Sequence, residues 1–570
     1  MIYEGTAVSD GAAIGRVFQY QPYQPEIRHE TIAKAQADSC MEKYKCVLIQ
    51  AEEELKQLIE GSELDEEEKK IFQAHIDIVQ DEEMSREIED EIRDNLLSPQ
   101  WAIQEVYERY IQIISKAKNA LIRERAADLK DVCQRLIRLW DGGHENPLSS
   151  LAGDVIVVAQ DLLPSDTAAM KTEYVKAIVT EVGGYTSHMA ILARNYGIPA
   201  VLGVADIMKN TENGQKIAVD AKDGKVITHL TVDQEKQYQV MREEYLKKIS
   251  DMRQYLPLVP ETLDKTRIEV CLNIGSADKS ELELESYTDG VGLFRTEFLY
   301  MSKKALPEEE EQFRVYKKIV TMYGERPVII RTLDIGGDKK LDYLELPRED
   351  NPFLGLRALR LCFEMKPIFK TQLRALLRAA VYGNLWIMFP MVGSIGDIRF
   401  VKQIVEEVKE ELREENISCR TDVKVGIMIE IPSIALMADI AASEVDFASI
   451  GTNDLCQYLM AVDRLNPSVA KYYQSFHPAM FRLIRQIVEE FGKQKKPVSV
   501  CGEMGGNPQA VALLAGLGVR KFSMNASSLA SVKKMISQTD ICKAERMART
   551  VLELSTAVQV EEYIKSELPD

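Results

Sequence analysis

The sequence predicts a multidomain α/β protein: a small α/β domain interrupted by an inserted helical bundle, then a linker helix, then a C-terminal (β/α)8 barrel. Three observations carry this expectation. From about Glu30 to Asp141 the chain is rich in Glu, Lys, Gln, Ala and Leu, with little Gly or Pro, and strand-like segments flank it. Residues 231–256 are Gln- and Glu-rich, keep a helical period and contain neither Gly nor Pro. Beyond about residue 260, apolar strand candidates alternate with amphipathic helices, the pattern of parallel β/α units.

The bulk properties agree. A chain of 570 residues is too long for one core, so three or four domains are expected. It is 45% hydrophobic and 28% charged, ordinary for a soluble globular protein. A net charge of −19 argues against a nucleic-acid binder, which usually presents a basic face. The nine cysteines are scattered, odd in number and without CxxC or zinc spacing, so a reducing cytosol is the simplest setting. No apolar run reaches membrane-spanning length, and Met1-Ile2-Tyr3-Glu4-Gly5 has no signal-peptide character. A cytoplasmic location is expected, with no membrane contact.

Within residues 1–22, Ala12 to Phe18 reads as a strand. Leu48, Ala51, Leu55, Leu58 and Ile59 follow helical spacing, as do Phe72, His75, Ile76 and Val79. Breaks near Gly61-Ser62, Asn95 to Pro99 and Lys118-Asn119 divide this stretch into about four helices. A spacer and a docking face for a partner are equally compatible with it. Strands follow at Asp154–Ala159, Val175–Thr180, Lys216–Asp220 and Lys225–Thr228. The expected domains are therefore 1–22 with 145–230, the insertion 23–144, the linker helix 231–258 and the barrel 259–570. The linker is either a solvated spacer or a link that lets two domains move. The barrel strands are placed at Ile268–Leu272, Gly290–Phe294, Val328–Ile330, Leu385–Phe389, Val425–Ile429, Phe447–Ile450, Val498–Val500 and Lys521–Ser523.

Two places carry chemistry. In Gly183-Gly184-Tyr185-Thr186-Ser187-His188-Met189-Ala190 a histidine sits where a strand gives way to a helix, with Thr186 and Ser187 as possible caps. A helix N-terminus favours an anion, and an imidazole there suits a nucleophile that accepts a phosphoryl group. The other place is the set of barrel strand ends. Arg295 and Glu297, then Arg331, Asp334 and Asp338, then Glu430, then Asn453, Asp454 and Arg464, then Cys501 and Glu503 follow successive strands. Such ends converge on one mouth. Arginines match phosphate and carboxylate. Glu430 and Asp454 could hold one Mg²⁺ together with substrate phosphate oxygens. A thiol such as Cys501 is mostly protonated at neutral pH and can donate a proton.

These residues resemble, essentially end to end, the Enzyme I family of bacterial phosphoenolpyruvate-protein phosphotransferases. The matching motifs are Gly183–His188, Gly290–Leu299, Arg331–Lys339, Asn351–Gly355, Gly451–Leu455 and Cys501–Met504, with Ile71–His75 in the helical stretch. The resemblance implies that phosphoenolpyruvate phosphorylates His188 and that Arg295, Arg331 and Arg464 bind it with Asn453 and Asp454. It implies that Glu430 and Asp454 ligate Mg²⁺ and that Cys501 protonates the enolate to pyruvate. It also implies that the helical insertion docks the phosphocarrier HPr, that the barrel forms a homodimer, and that Thr167 lies near the histidine.

Tyr185 stands where the family usually has Arg or Lys, Leu465 where Gly is common after the arginine, and Gly505-Gly506-Asn507 where Ala-Gly-Asp is usual. None removes a catalytic group. The related dikinases and synthases that use phosphoenolpyruvate need a nucleotide-binding domain, and no P-loop is present here. A non-enzymatic phosphoenolpyruvate sensor, or a scaffold, would leave His188, Cys501 and both carboxylates without a use. His188 is expected to be a mobile carrier, charged at the barrel mouth and discharged at the helical face.

Overall fold

A computed structural model describes residues 1–21, 27, 29–61, 66–115, 120–143, 146–183, 188–277, 279–301, 305–336, 341, 343, 344, 346, 347, 349–464 and 466–568. They form two compact units, Met1–Ile249 and Ser250–Asp570.

The first unit is built on a mixed sheet of strands β1 (Ile2–Glu4), β2 (Thr6–Ser9), β3 (Ala12–Tyr20), β4 (Val155–Ala159), β5 (Val175–Thr180), β6 (Ala200–Leu202), β7 (Lys216–Asp220) and β8 (Lys225–Ile227). Their spatial order is β1-β8-β7-β3-β4-β5-β6-β2. The chain leaves for the insertion after β3 and returns at β4. The two strands pair in parallel from Arg16↔Val155 to Tyr20↔Ala159, which closes the base of the insertion. The apolar character of β4 and β5 has a physical cause. Val157, Ala159 and Ile178 pack into one apolar cluster, and Ile156, Val158, Ala177 and Val179 into another on the opposite face.

The insertion contains α1 (Ala37–Gly61), α2 (Glu66–Val79), α3 (Glu82–Arg93), α4 (Pro99–Ser115) and α5 (Ala120–Trp140) around a core that includes Tyr44, Leu55, Phe72, Ile88, Val106 and Leu136. This is one helix more than the breaks in the sequence suggest. The extra break lies between α2 and α3, where the Asp81 carboxylate accepts the Met84 N–H at 2.8 Å and caps α3. His75 is fully buried beside Asp128, with Nε2 3.4 Å from Oδ1.

A short helix, α6 (Pro164–Ala169), joins the insertion to the sheet. The Ser165 N–H donates to Asp131 of α5 at 2.9 Å. Asp166 accepts the Tyr20 hydroxyl, the Asn146 amide at 3.1 Å and the Leu163 N–H at 3.0 Å. Tyr20 and Asn146 flank the insertion, so one carboxylate ties both crossings together. After α7 (His188–Asn195), α8 (Val232–Arg253) is the expected linker helix, ending before Pro257. Its first part rests on the α/β domain, where Arg242 pairs with Asp154 at 3.3 Å and the Tyr245 hydroxyl donates to the Asp10 carbonyl at 3.0 Å.

The second unit is a closed parallel barrel of β9 (Glu269–Ile274), β10 (Val291–Arg295), β11 (Val328–Arg331), β12 (Leu385–Phe389), β13 (Lys424–Ile429), β14 (Phe447–Ile450), β15 (Val498–Val500) and β16 (Lys521–Met524). β16 pairs with β9 from Lys521↔Glu269 to Met524↔Leu272 and closes the ring. Leu293, Ile329, Trp386, Met388, Met428, Phe447 and Cys501 fill its interior. Residues alternating with them pack outward into the larger core shared with the surrounding helices. Every expected strand is present, three with the expected bounds and the rest with ends shifted by at most two residues. Arg295 and Arg331 are therefore the last residues of their strands.

Candidate active site

The carboxyl ends of the barrel strands enclose a cavity of about 920 Å³. Arg295, Arg331, Glu430, Asn453, Asp454, Arg464 and Cys501 all line it, as do Glu297, Asp334 and Glu503, so the expected strand-end residues that are described come together. Asp338 and Leu465 lie outside the described residues.

Arg331 is buried, and its Nη2 sits 2.7 Å from Glu297 Oε1 and 3.0 Å from Asp334 Oδ2. Burial alone would lower its pKa, but Glu297, Asp334 and Glu430 more than reverse this and hold the guanidinium charged. Arg357, also buried, places Nη2 3.0 Å from Asp334 Oδ1 and 3.7 Å from Asp454 Oδ2. Its Nη1 reaches the Tyr458 hydroxyl at 3.3 Å. Glu297 and Asp334 were legible as strand-end residues. Arg357 was not, because it follows the loop after Asn351–Gly355 rather than a strand; its proximity to that motif was the only signal.

Glu430 accepts the Met391 N–H at 2.8 Å and lies 3.8 Å from Arg331 Nη1. Burial, with Asp454 and Asp334 nearby, pushes its carboxyl well above the ordinary range. Asp454 Oδ1 is buried without a hydrogen-bond partner, its nearest cation being Arg464 at 3.7 Å. Among the described residues no three His, Cys, Asp or Glu side chains form a metal cage. The orphaned Asp454 oxygen and the disfavoured charge on Glu430 nonetheless suit Mg²⁺, which takes one or two carboxylates and completes its shell with water and phosphate.

Asn453 is pinned across the mouth: its Oδ1 accepts the Glu503 N–H at 2.9 Å and its Nδ2 donates to Glu503 Oε1 at 3.3 Å. Cys501 is buried at the end of β15, and its thiol donates to the Ile450 carbonyl at 3.6 Å. Burial pushes the thiol up to about 11, so it stays protonated at neutral pH. Gly502 follows because nothing larger fits: a Cβ there would stand 1.9 Å from Thr452 Oγ1. Asn507, one of the departures from the family pattern, accepts the Ala510 N–H at 3.1 Å and caps the helix Pro508–Gly516.

In the other unit, β5 leads through Gly183, at φ +115°, to α7, whose first residue is His188. Met189, Ala190, Leu192 and Ala193 bury this helix against the sheet. Gly184, Tyr185, Thr186 and Ser187, and the side chain of His188, lie outside the described residues. Thr167 is buried in α6, and its hydroxyl donates to the Pro164 carbonyl at 2.8 Å.

Three family models match the chain. They are the N-terminal domain of PEP-utilising enzymes over residues 4–125, their mobile domain over 151–224 and their PEP-binding domain over 251–541. The phosphoenolpyruvate-protein phosphotransferase of Priestia megaterium is 40% identical over 565 residues, 99% of this chain and 98% of that one. The protein of the same name from Bacillus subtilis is 39% identical over 564 residues, 99% of each chain. A solution structure of an Enzyme I protein is 34% identical, covering 43% of this chain and 99% of its own with a TM-score of 0.38. With identity of this level along nearly the whole length, the chain belongs to the phosphoenolpyruvate-protein phosphotransferase family.

Proposed function

We propose that this enzyme moves the phosphoryl group of phosphoenolpyruvate onto His188 and then to a histidine of the phosphocarrier HPr, releasing pyruvate as the first step of sugar phosphotransfer. The observation that carries this reading is the single barrel mouth lined by Arg295, Arg331, Arg357, Arg464, the carboxylates of Glu430 and Asp454 among others, and a buried thiol. Phosphoenolpyruvate carries a phosphate and a carboxylate, and several guanidinium forks bind both and hold them in register. Arg331 and Arg357 are held rigid by Glu297 and Asp334, so little reorganisation is needed when charge shifts during transfer.

Glu430 and Asp454 would hold Mg²⁺, which when bound neutralises phosphate charge. An imidazole nitrogen of His188 forms the N–P bond while the bond from phosphorus to the enol oxygen breaks. The pyruvate enolate left behind takes a proton at C3 from the Cys501 thiol. The reading requires the His188 domain to reach the barrel mouth, with the helical insertion presenting HPr for the second transfer.

A homodimer through the barrel and a cytoplasmic setting complete the reading. The latter is supported by nine unpaired cysteines. No described helix is long and apolar enough to cross a membrane.

Labelled phosphoenolpyruvate with Mg²⁺ should label His188, and the label should pass to added HPr. Persistent labelling of His188→Ala would refute the assignment; transfer only to another carrier would mark a specialised paralogue.

A further inference from the structure

Cys501 is tied to a strand that is not its neighbour. In β9, Val270, Leu272 and Ile274 pack outward into the core against the helices. The two-residue period of a strand therefore turns Asn273 inward, where it lines the same cavity as Cys501. The ladder between β15 and β16 ends at Val500↔Phe522, one residue short of Cys501. On the β14 side the Cys501 N–H donates to the Ile450 carbonyl at 3.1 Å. On the other side Asn273, two strands away in the ring, reaches past β16, and its Nδ2 donates to the Cys501 carbonyl at 3.0 Å. Nδ2 also faces the Ser523 carbonyl at 3.4 Å, and the Ser523 hydroxyl donates to Oδ1 at 2.6 Å. Carbonyls only accept, so the NH₂ end of the amide faces them and its oxygen faces the hydroxyl. Both amide hydrogens are thus used on the protein, leaving no donor for an anionic substrate. Gly292 of β10 makes room for this arrangement: a Cβ there would stand 2.3 Å from Ser523 Oγ.

We infer that Asn273 is a positioning residue for the proton donor, holding the Cys501 main chain just past the end of β15 so that the thiol is aimed at the enolate. The inference rests on Cys501 as the group that protonates the enolate. In that step the S–H bond breaks and a C–H bond forms at C3, using the enolate double-bond pair. The enolate oxygen becomes the keto oxygen of pyruvate, and the S–H pair stays on sulfur. Water entering the mouth after pyruvate leaves returns the proton. With its N–H on Ile450 and its carbonyl on Asn273, Cys501 has both flanking peptides fixed, and with them the direction of its Cα–Cβ bond. Loss of the Asn273 bond frees the second peptide, and misplacing a reacting group by about 1 Å costs roughly 100-fold in rate.

The test is the single-turnover rate of pyruvate release from phosphoenolpyruvate by the full-length enzyme with Mg²⁺. Asn273→Leu, similar in shape but without a donor, should slow release about 10- to 100-fold, with half-saturation by phosphoenolpyruvate changed less than about 2-fold. Ser523→Ala disturbs the barrel less, because it removes only the hydroxyl that orients the amide. It should slow release about 2- to 10-fold, again with half-saturation unchanged. Either change added to Cys501→Ala should leave the residual rate of Cys501→Ala as it is, because Asn273 acts only through the thiol. Unimpaired release by Asn273→Leu would overturn the inference, and if that variant does not fold, unimpaired release by Ser523→Ala would do so. A further loss when either is added to Cys501→Ala would overturn it as well, showing general damage to the mouth. Unimpaired release by Cys501→Ala would instead remove the proton-donor reading itself.

Discussion

Arg331 Nη2 lies 2.7 Å from Glu297 Oε1, with the two side chains only 7% and 1% exposed. A planar guanidinium held this way cannot swing, so the face it turns to the cavity is fixed before substrate arrives. Glu297→Ala should loosen that face and leave buried charge less well compensated. Removing one partner of a buried ion pair costs about 3 kcal/mol. Protection of the β10 and β11 amides from hydrogen exchange should fall accordingly, and half-saturation by phosphoenolpyruvate should rise. Glu297→Gln keeps the hydrogen bond and should lose less; equal losses in the two variants would count against the charge being what matters.

Asp454 and Glu430 give the metal its own prediction. Chelation by EDTA should stop pyruvate release, and Mg²⁺ should restore it. Asp454→Asn keeps the shape but removes the anionic oxygen that has no hydrogen-bond partner. The Mg²⁺ concentration for half-maximal release should rise by at least about tenfold, with hydrogen-exchange protection of the barrel strands unchanged. An unaltered Mg²⁺ dependence would exclude Asp454 as a ligand.

Asp166 predicts a pH dependence in the first unit. Burial pushes its carboxyl up to about 6, opposed only in part by its hydrogen bonds from Tyr20, Leu163 and Asn146. The folded protein therefore binds this proton more tightly than the unfolded chain. The contribution is complete below the ordinary carboxylate range near 4 and is lost as pH rises through about 6, an effect on the order of 3 kcal/mol. Hydrogen-exchange protection of β4, corrected for intrinsic rates, should weaken across that window in the wild type. It should stay flat in Asp166→Asn, and a slope surviving in that variant would assign the dependence to another group.

The parts legible in the sequence share a physical cause. A parallel β/α unit delivers the residue after each strand to one mouth, so Arg295, Arg331, Glu430 and Cys501 could be read without a structure. Arg357 escaped because a loop, not a strand, carries it there. The break at Asp81 was hidden because neither Gly nor Pro marks it, and the capping hydrogen bond to Met84 is what shows where α3 begins. At three residues, β6 is too short for any period to show. The helical face, by contrast, showed its core positions clearly but nothing that separates a spacer from a docking surface.

Gly502 offers the sharpest test of how tightly the mouth is built. An added Cβ would stand 1.9 Å from Thr452 Oγ1, 2.7 Å from the Thr452 backbone nitrogen and 3.0 Å from Asn453 Oδ1. The side-chain oxygen could be removed by a second substitution, but the backbone nitrogen heads the helix Thr452–Leu459, which carries Asn453 and Asp454, and cannot retreat without them. Gly502→Ala should therefore displace Cys501 on one side or the Asn453–Asp454 pair on the other. Overpacking of this kind costs about 1–3 kcal/mol in stability. The effect on pyruvate release should be larger, roughly 100-fold, because misplacement by about 1 Å at a reacting centre has that consequence. Thr452→Ala in the same chain relieves the closest contact but not the backbone one, so it should recover part of the rate and no more. Full recovery would show that only the Thr452 side chain had been in the way; wild-type release by Gly502→Ala alone would show that the mouth yields without consequence.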